Sequence, residues 1–214
     1  MRQHADAFAA TWTALASVVG TECPAEQTVN VFRDPTMLAA WPLAEDAAAG
    51  LGGERTRSGI DALRASSETM QEIDDDHFQL LRGPGIPAAV PWGSVHLGEE
   101  QLLFDEETFD VRRMYQRFGL QAPKLNVEPD DHVSLELEFL SQLLVRGMQA
   151  EDKGDASADE YFAAHDEFCR DHVLRWVPTF FDQLTSAAQT SFYRGIGLLG
   201  QDALAAAKRL VVAE

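Results

Sequence analysis

The chain has 214 residues, of which 45% are hydrophobic and four are tryptophans, a composition that predicts one globular domain across residues 1–214 rather than a disordered chain. The formal net charge of −18 argues against nucleic acid and anionic lipid as partners, because phosphates would be repelled. The longest apolar runs are too short to cross a bilayer, so stable membrane insertion is not expected.

Two interpretations of this acidity stay open. An excess of carboxylates suits a basic partner. However, the chain has only three lysines, Lys124, Lys153 and Lys208, a balance that also fits a GC-rich genome or a salt-rich cytoplasm, where acidity serves solvation.

The N-terminus and the cysteines predict a cytoplasmic protein. No uninterrupted apolar stretch with a small-residue cleavage site follows the first residues, so we expect no signal peptide. Cys23 and Cys169 lie far apart and match no paired-cysteine motif, which indicates a reducing compartment.

Apolar residues recur at helical spacing almost throughout, without a convincing alternating strand, and we predict an all-α bundle of about nine or ten helices. The first helix is expected over residues 4–19. Asp34, followed by a proline, is an N-cap for a short second helix. Ser58 and Asp61 resemble a capping box for the next helix, which is expected to reach Met70.

Residues 82–98 are predicted to form a loop. Seven glycines and prolines fall within this segment, which is typical of irregular backbone. It nevertheless contains Trp92 and Val95, and an aromatic residue in such a loop often belongs to a binding surface.

A further helix is expected from Asp105 or Glu106, with Phe104 on its inner stripe and Gly119 as its C-cap. Residues 119–129 then form a connection that we interpret as a hinge through which the C-terminal helices could be exchanged between two copies.

The next helix is predicted to start at Asp130, with Pro129 in its first turn. Asp130 and Asp131 would then lie at the positive end of the helix dipole. His132 and Asp131 point about 100° apart on a helix, so they are not a ready acid–base dyad. Glu136, one turn later, could hold the imidazole of His132.

The last third of the chain is expected to add three helices, over residues 161–172, 178–187 and 192–212. Ser157 and Glu160 resemble a second capping box. The acidic run at residues 74–76 is interpreted as a solvated helix start.

An alternative function comes from His165, Cys169 and His172, which follow helical spacing and could offer one face to a metal ion in a metal-dependent enzyme. A fourth ligand would have to come from elsewhere. The chain has no Gly-x-Ser-x-Gly elbow, phosphate loop or dinucleotide fingerprint, and we predict no cofactor.

Three blocks of the sequence resemble the TorD/DmsD family, cytoplasmic chaperones for molybdenum-cofactor-dependent reductases. The first runs from Gly83-Pro84 to Pro91-Trp92-Gly93-Ser94-Val95-His96-Leu97, and the second is Glu128-Pro129-Asp130-Asp131-His132 with the helix after it. The third runs from His172 to Leu198. They occur in the family's order and extend over most of residues 76–212.

Two positions depart from the family pattern. His96 stands where tyrosine is usual. The aromatic-x-x-Leu-Phe segment that precedes the Gly-Pro pair is replaced by His77-Phe78-Gln79-Leu80-Leu81, so the aromatic anchors of this part of the groove are shifted.

The resemblance implies a protein that is not an enzyme. Such chaperones bind the twin-arginine leader peptide, and often the body, of the apo form of a molybdopterin-dependent reductase, assist cofactor insertion and prevent premature export. Some are associated with nucleotide binding, for which this chain has no phosphate loop. We expect a monomer for the most part, with a domain-swapped dimer as the alternative.

A receptor for such a leader needs carboxylates beside an apolar groove, because the leader has two arginines followed by an apolar stretch. The hypothesis is that the acidic segment meets the arginines while the Trp92 loop covers the apolar part. The predicted peptide-binding residues are Leu81, Pro91, Trp92, Gly93, Ser94, Glu128, Asp130, Asp131, His132 and Glu136.

Overall fold

A computed structural model describes residues 1–44, 50–98, 100 and 102–212. These residues are organised in α-helices, without strands, and the predicted all-α fold is confirmed. The α-helices are α1 Ala5–Ala16, α2 Glu26–Arg33, α3 Pro35–Ala39, α4 Glu54–Ala65, α5 Met70–His77, α6 Gly93–Leu97, α7 Glu106–Arg117, α8 Val133–Asp152, α9 Ser157–Phe168, α10 Leu174–Ala187 and α11 Ser191–Val211. A 3₁₀ turn precedes α1 at Arg2–His4, and π-helical turns follow α5 at Phe78–Arg82 and α9 at Cys169–Val173.

The π-helical turn Cys169–Val173 joins α9 to α10 without a break in the helical backbone. If α9 and α10 are counted as one continuous helix, the described part of the chain has ten helices, which agrees with the predicted nine or ten.

Two long helices organise the bundle. α8 packs between α1 and α9, and α11 packs against α4 and α10. Each long helix is apolar on the sides that meet its neighbours, and the largest side chains without solvent exposure include Trp12, Trp176 and Tyr193. Burial of these aromatic residues dominates the core because each removes a large apolar area from water. No helix of the described segments is long and apolar enough to cross a membrane.

Several predicted helix ends are confirmed. The side chain of Asp34 accepts hydrogen bonds from the amides of Thr36 and Met37, and Asp105 accepts one from the amide of Glu106. Gly119 follows α7 with a φ of +67°, the left-handed conformation in which glycine carries no steric penalty.

Both predicted capping boxes are wrong. α4 begins at Glu54, so that Ser58 lies inside it, and it ends at Ala65, before Met70. Ser157 does not cap α9 through its side chain; its amide instead donates to Asp155. The capping box that does form was not predicted and joins Thr69 and Glu72 at the start of α5.

Three other predictions also need correction. The loop over residues 82–98 contains the short helix α6. Phe104 is not on the inner stripe of α7: it precedes the N-cap, has a φ of +61° and is exposed. The acidic run 74–76 lies in the last part of α5 rather than at a start, and the buried carboxylate of Asp76 accepts hydrogen bonds from the amides of Gln189 and Thr190.

Candidate functional site

The Trp92 loop and the segment before α8 meet as an isolated antiparallel bridge between Trp92 and His132. The amide of Gly93 donates to the carbonyl of Asp131 at 3.0 Å, and the amide of Val133 donates to the carbonyl of Pro91 at 2.8 Å. Two of the motif blocks, separated by about forty residues of chain, therefore form one wall.

Asp131 holds this wall from inside. Its side chain is fully buried, and its carboxylate accepts hydrogen bonds from the amide of Ser94 at 2.5 Å and from the hydroxyl of Thr108 at 2.8 Å. It thus ties the first turn of α6 to α7. Such charge-assisted bonds are among the stronger hydrogen bonds in proteins.

Asp130 is fully buried as well and pairs with Arg112. The guanidinium donates to Oδ2 of Asp130 from Nε at 3.0 Å and from Nη2 at 2.5 Å. Nη1 of the same arginine donates to Asn126 at 3.0 Å, and the hydroxyl of Tyr115 donates to the carbonyl of Asp130. These contacts fasten the connection between α7 and α8.

The predicted start of α8 at Asp130 is therefore wrong, and so is Pro129 as its first-turn residue. α8 begins at Val133 and His132 is its N-cap. The physical reason is that both aspartates turn inward to the partners just described, so that neither serves the helix dipole of α8.

Glu136 is the third buried carboxylate of this wall, and its side chain binds His172 and Trp176 rather than the imidazole of His132. Its two oxygens lie 2.8 Å from Nε2 of His172 and 3.1 Å from Nε1 of Trp176. Burial is the largest influence on Glu136 and raises its pKa. For His172, burial lowers the pKa, but the attraction and hydrogen bond of Glu136 outweigh it, so the pKa is raised overall.

Gly93 passes close to this buried pair. A Cβ atom added at Gly93 would lie 3.1 Å from Nε1 of Trp176 and 3.3 Å from Oε1 of Glu136. His96, which departs from the family pattern, stacks on Trp176 with ring centroids 5.2 Å apart and an interplanar angle of 28°. The histidine therefore fills an aromatic position of the same wall.

His132 faces both the protein and a surface cleft. Its Nδ1 accepts a hydrogen bond from the amide of Ser134 at 3.2 Å, and its ring meets Trp92 edge-on, with centroids 5.8 Å apart. Burial lowers the pKa of His132 from 6.5 to about 3. The imidazole is thus neutral at physiological pH, because burial, and not the neighbouring carboxylates, decides its charge.

Trp92 and His132 line a cleft of about 400 Å³. Its walls come from four stretches of the chain, and four of the predicted peptide-binding residues contribute to them, namely Leu81, Trp92, Glu128 and His132. The full lining consists of Thr21, Glu22, Leu81, Arg82, Trp92, Ala122, Pro123, Lys124, Glu128, His132, Ser134 and Leu135.

The other predicted residues lie behind the cleft. Asp130, Asp131 and Glu136 are fully buried, Ser94 is buried, and the backbone of Pro91 and Gly93 forms the bridge. The structure therefore brings the ten predicted residues into one region, but it separates four that face the cleft from six that support its wall.

Sequence reasoning missed the charged rim of the cleft. Nζ of Lys124 lies 2.7 Å from Glu128, and a guanidinium nitrogen of Arg82 lies 3.7 Å from Glu22. A signal for the first pair was present, because Lys124 and Glu128 stand at i, i+4 spacing and Lys124 is one of only three lysines. Nothing local linked Glu22 to this region.

A second, smaller cleft of about 220 Å³ lies beside the first. The two share Ala122, Pro123 and Leu135, so the connection between α7 and α8 forms part of both. The second cleft is lined mainly by apolar and aromatic groups, which include Leu120 and Phe139.

The metal face proposed for His165, Cys169 and His172 is not formed. The π-helical turn at Cys169–Val173 changes the helical register, so that His172 reaches Glu136 while Nδ1 of His165 lies 2.8 Å from Asp166. Among the described residues, no group of three or more His, Cys, Asp and Glu side chains is arranged to hold a metal ion.

Comparison with known proteins identifies the family. The family model described as nitrate reductase delta subunit matches residues 42–182, more than half of the chain. The chain belongs to this family. The matched range includes both motif blocks that form the bridge and most of the lining of the cleft.

Several individual proteins that are similar to this chain are named as chaperones. Chaperone protein TorD of Vibrio parahaemolyticus is 26% identical over 159 residues, 71% of this chain and 73% of the relative. The probable Tat proofreading chaperone DmsD of Haemophilus influenzae is 27% identical over 171 residues, 80% of this chain and 73% of the relative. TorD of Photobacterium profundum is 28% identical over 142 residues, 65% of this chain and 64% of the relative. The predicted TorD/DmsD resemblance is confirmed.

Proposed function

We propose that this protein is a cytoplasmic, non-enzymatic chaperone that binds the twin-arginine leader peptide and the apo form of a molybdopterin-dependent reductase. By holding the reductase, it assists cofactor insertion and prevents premature export. The names of its relatives, which include a Tat proofreading chaperone, support this class of function.

The observation that carries the proposal is the cleft between Trp92 and Pro123, which combines an apolar floor with carboxylates at its rim. A leader presents two guanidinium groups followed by apolar side chains, so it needs both kinds of surface within a short distance. The net charge of −18 adds long-range attraction for a basic peptide.

Within this proposal, the predicted residues have two roles. Leu81, Trp92 and His132 contact the apolar part of the peptide, and Glu128 meets an arginine. Asp130, Asp131 and Glu136 are positioning residues, because their buried carboxylates hold the wall of the cleft in place. The second cleft, which shares Leu135, extends the apolar surface toward Phe139.

Isothermal titration calorimetry with the twin-arginine leader peptide of a molybdopterin-dependent reductase from the same organism tests the proposal. We expect saturable binding that weakens with salt, because the arginines act through charge. Absence of binding at low salt, both with the peptide and with the reductase that carries it, would contradict the proposal.

Two variants test the division of roles. Trp92→Ala removes apolar contact and should weaken leader binding by about tenfold or more. Asp131→Asn keeps the shape but removes the charge that holds Ser94 and Thr108, and should weaken binding less. Glu54→Gln at the start of α4, outside the cleft lining, is the control and should bind like the wild type. If Trp92→Ala binds the leader peptide as tightly as the wild type does, the cleft is not the binding site.

A further inference from the structure

The carboxylates at the rim of the cleft already have cations of their own. Glu128 is paired with Lys124 and Glu22 with Arg82. The four groups form one electrostatic cluster: the hydrogen bond and charge of Glu128 raise the pKa of Lys124, Glu22 raises it further and Arg82 lowers it. An incoming guanidinium group therefore meets occupied carboxylates.

We propose that Lys124 and Arg82 are resident counter-ions that the arginines of a bound peptide displace, so that a peptide lysine gains no affinity at the rim whereas a peptide arginine does. The inference rests on the proposed function and names its specificity-determining residues.

The geometry favours exchange. The side chains of Lys124 and Glu128 are 49% and 37% exposed, and those of Arg82 and Glu22 are 48% and 76% exposed. Exposed pairs contribute little net stability, so a displaced Lys124 returns to water at small cost. Arg82 lies 3.7 Å from Glu22, beyond ordinary hydrogen-bond distance, so an incoming donor would gain a contact that Arg82 does not make.

Selectivity follows from what is exchanged. A peptide lysine that replaces Lys124 exchanges one ammonium–carboxylate contact for another and gains nothing at this position. A peptide arginine instead places a planar fork of donors on Glu128 and can bind both oxygens. A peptide residue therefore gains affinity at Glu128 only if its contact is stronger than that of Lys124. Arginine meets this condition and lysine does not.

The test compares two synthetic peptides of equal length, in which an Arg-Arg pair or a Lys-Lys pair precedes the same apolar stretch. Wild-type protein should bind the Arg-Arg peptide about tenfold more tightly. Lys124→Gln should bind both peptides about two- to fivefold more tightly than the wild type does, because neither peptide then has to displace a resident cation. Arg82→Gln should act in the same direction.

Two controls separate exchange from a general change of charge. Lys153→Gln alters the net charge by the same amount, but Lys153 follows α8 and lies outside the cleft lining, so its affinity for each peptide should equal that of the wild type. In the double variant Lys124→Gln, Glu128→Gln, the effect of removing Lys124 should vanish, because the carboxylate for which the cations compete is gone.

The outcomes are distinguishable. Equal binding of both peptides to the wild type, or unchanged affinities for both peptides in Lys124→Gln and Arg82→Gln, overturns the exchange while leaving leader binding intact. Failure of the wild type to bind the Arg-Arg peptide overturns the proposed function itself, and the exchange with it.

Discussion

At the scale of single residues, the folded protein holds three histidines in surroundings that oppose their protonation. Burial lowers the pKa of His77, His132 and His165, and that of His132 falls to about 3. Each remains neutral when folded over a range of pH in which the unfolded chain takes up a proton. The free energy of unfolding therefore depends on pH through buried histidines, which carry no charge in the folded protein.

His132 predicts a measurable pH dependence. Between its unfolded pKa of 6.5 and its folded pKa of about 3, the unfolded state binds more protons, so the free energy of unfolding falls as pH falls, by about 1.4 kcal/mol per pH unit from this group. His132→Asn keeps an N-cap for α8 and should reduce this slope by one histidine's share, since His77 and His165 remain.

Urea denaturation of wild type and His132→Asn between pH 5 and pH 8 measures the difference. Above about pH 7 the two stability curves should run parallel, because His132 is then neutral in both states. Identical slopes at pH 5 to 6 would show that the imidazole is not buried as described.

At the scale of elements, α11 approaches its neighbours through glycines. A Cβ at Gly195 would lie 2.7 Å from Leu63 of α4, and one at Gly200 would overlap the ring of Phe181 of α10. Small residues at these points allow helix backbones to approach closely, while the interior remains densely packed.

The substitution Gly200→Ala is therefore expected to lower the stability of the protein. Alanine is favoured over glycine in a helix by about 1 kcal/mol, but the added methyl group would displace a fully buried phenylalanine, and overpacking of this kind costs about 1–3 kcal/mol. We expect a net loss of stability, measured as a lower Tm. Gly20→Ala is the control, since a Cβ there meets only a carbonyl oxygen at 3.9 Å. A Tm for Gly200→Ala at or above the wild-type value would contradict the packing of α10 on α11.

Elements were more predictable than contacts. Periodic apolar residues located most helices, and the local signals Asp34, Asp105 and Gly119 marked helix ends correctly. The first helix was predicted to run to residue 19 but ends at Ala16, and the helix predicted from Pro178 begins at Leu174. Ser58 failed because a serine–acid spacing also occurs inside a helix, where surrounding residues extend α4 past it. The carboxylates of Asp130, Asp131 and Glu136 could not be assigned from sequence, because their partners Arg112, Ser94, Thr108, His172 and Trp176 are distant in the chain.

At the scale of the whole molecule, the connection between α7 and α8 is the place where the chain could exchange its C-terminal helices. We retain residues 119–129 as a proposed hinge. Asn126 in this segment has a φ of +62° and accepts a hydrogen bond from Arg112. Asparagine tolerates this conformation, whereas a β-branched residue does not.

We predict that the wild type is mainly a monomer and that Asn126→Val forms domain-swapped dimers. Strain at residue 126 would weaken the compact connection relative to an extended one, and exchange of an identical element costs little. Size-exclusion chromatography with light scattering measures the dimer fraction. Asn126→Gly, which keeps a positive φ accessible but also loses the contact with Arg112, is the matched control and should remain monomeric. A monomeric, folded Asn126→Val protein would exclude a hinge that responds to this residue.

The bridge between Trp92 and His132 also has a consequence for biosynthesis. The ribosome synthesises the chain from the N-terminus onward, but the first cleft takes side chains from Thr21 to Leu135, and its wall closes only when Val133 can donate to Pro91. A nascent chain that ends before Val133 contains the Trp92 loop but lacks the segment with which the loop forms the bridge. The proposed leader site is therefore absent during the synthesis of the first 130 or so residues, and a fragment cut before α8 would lack it as well.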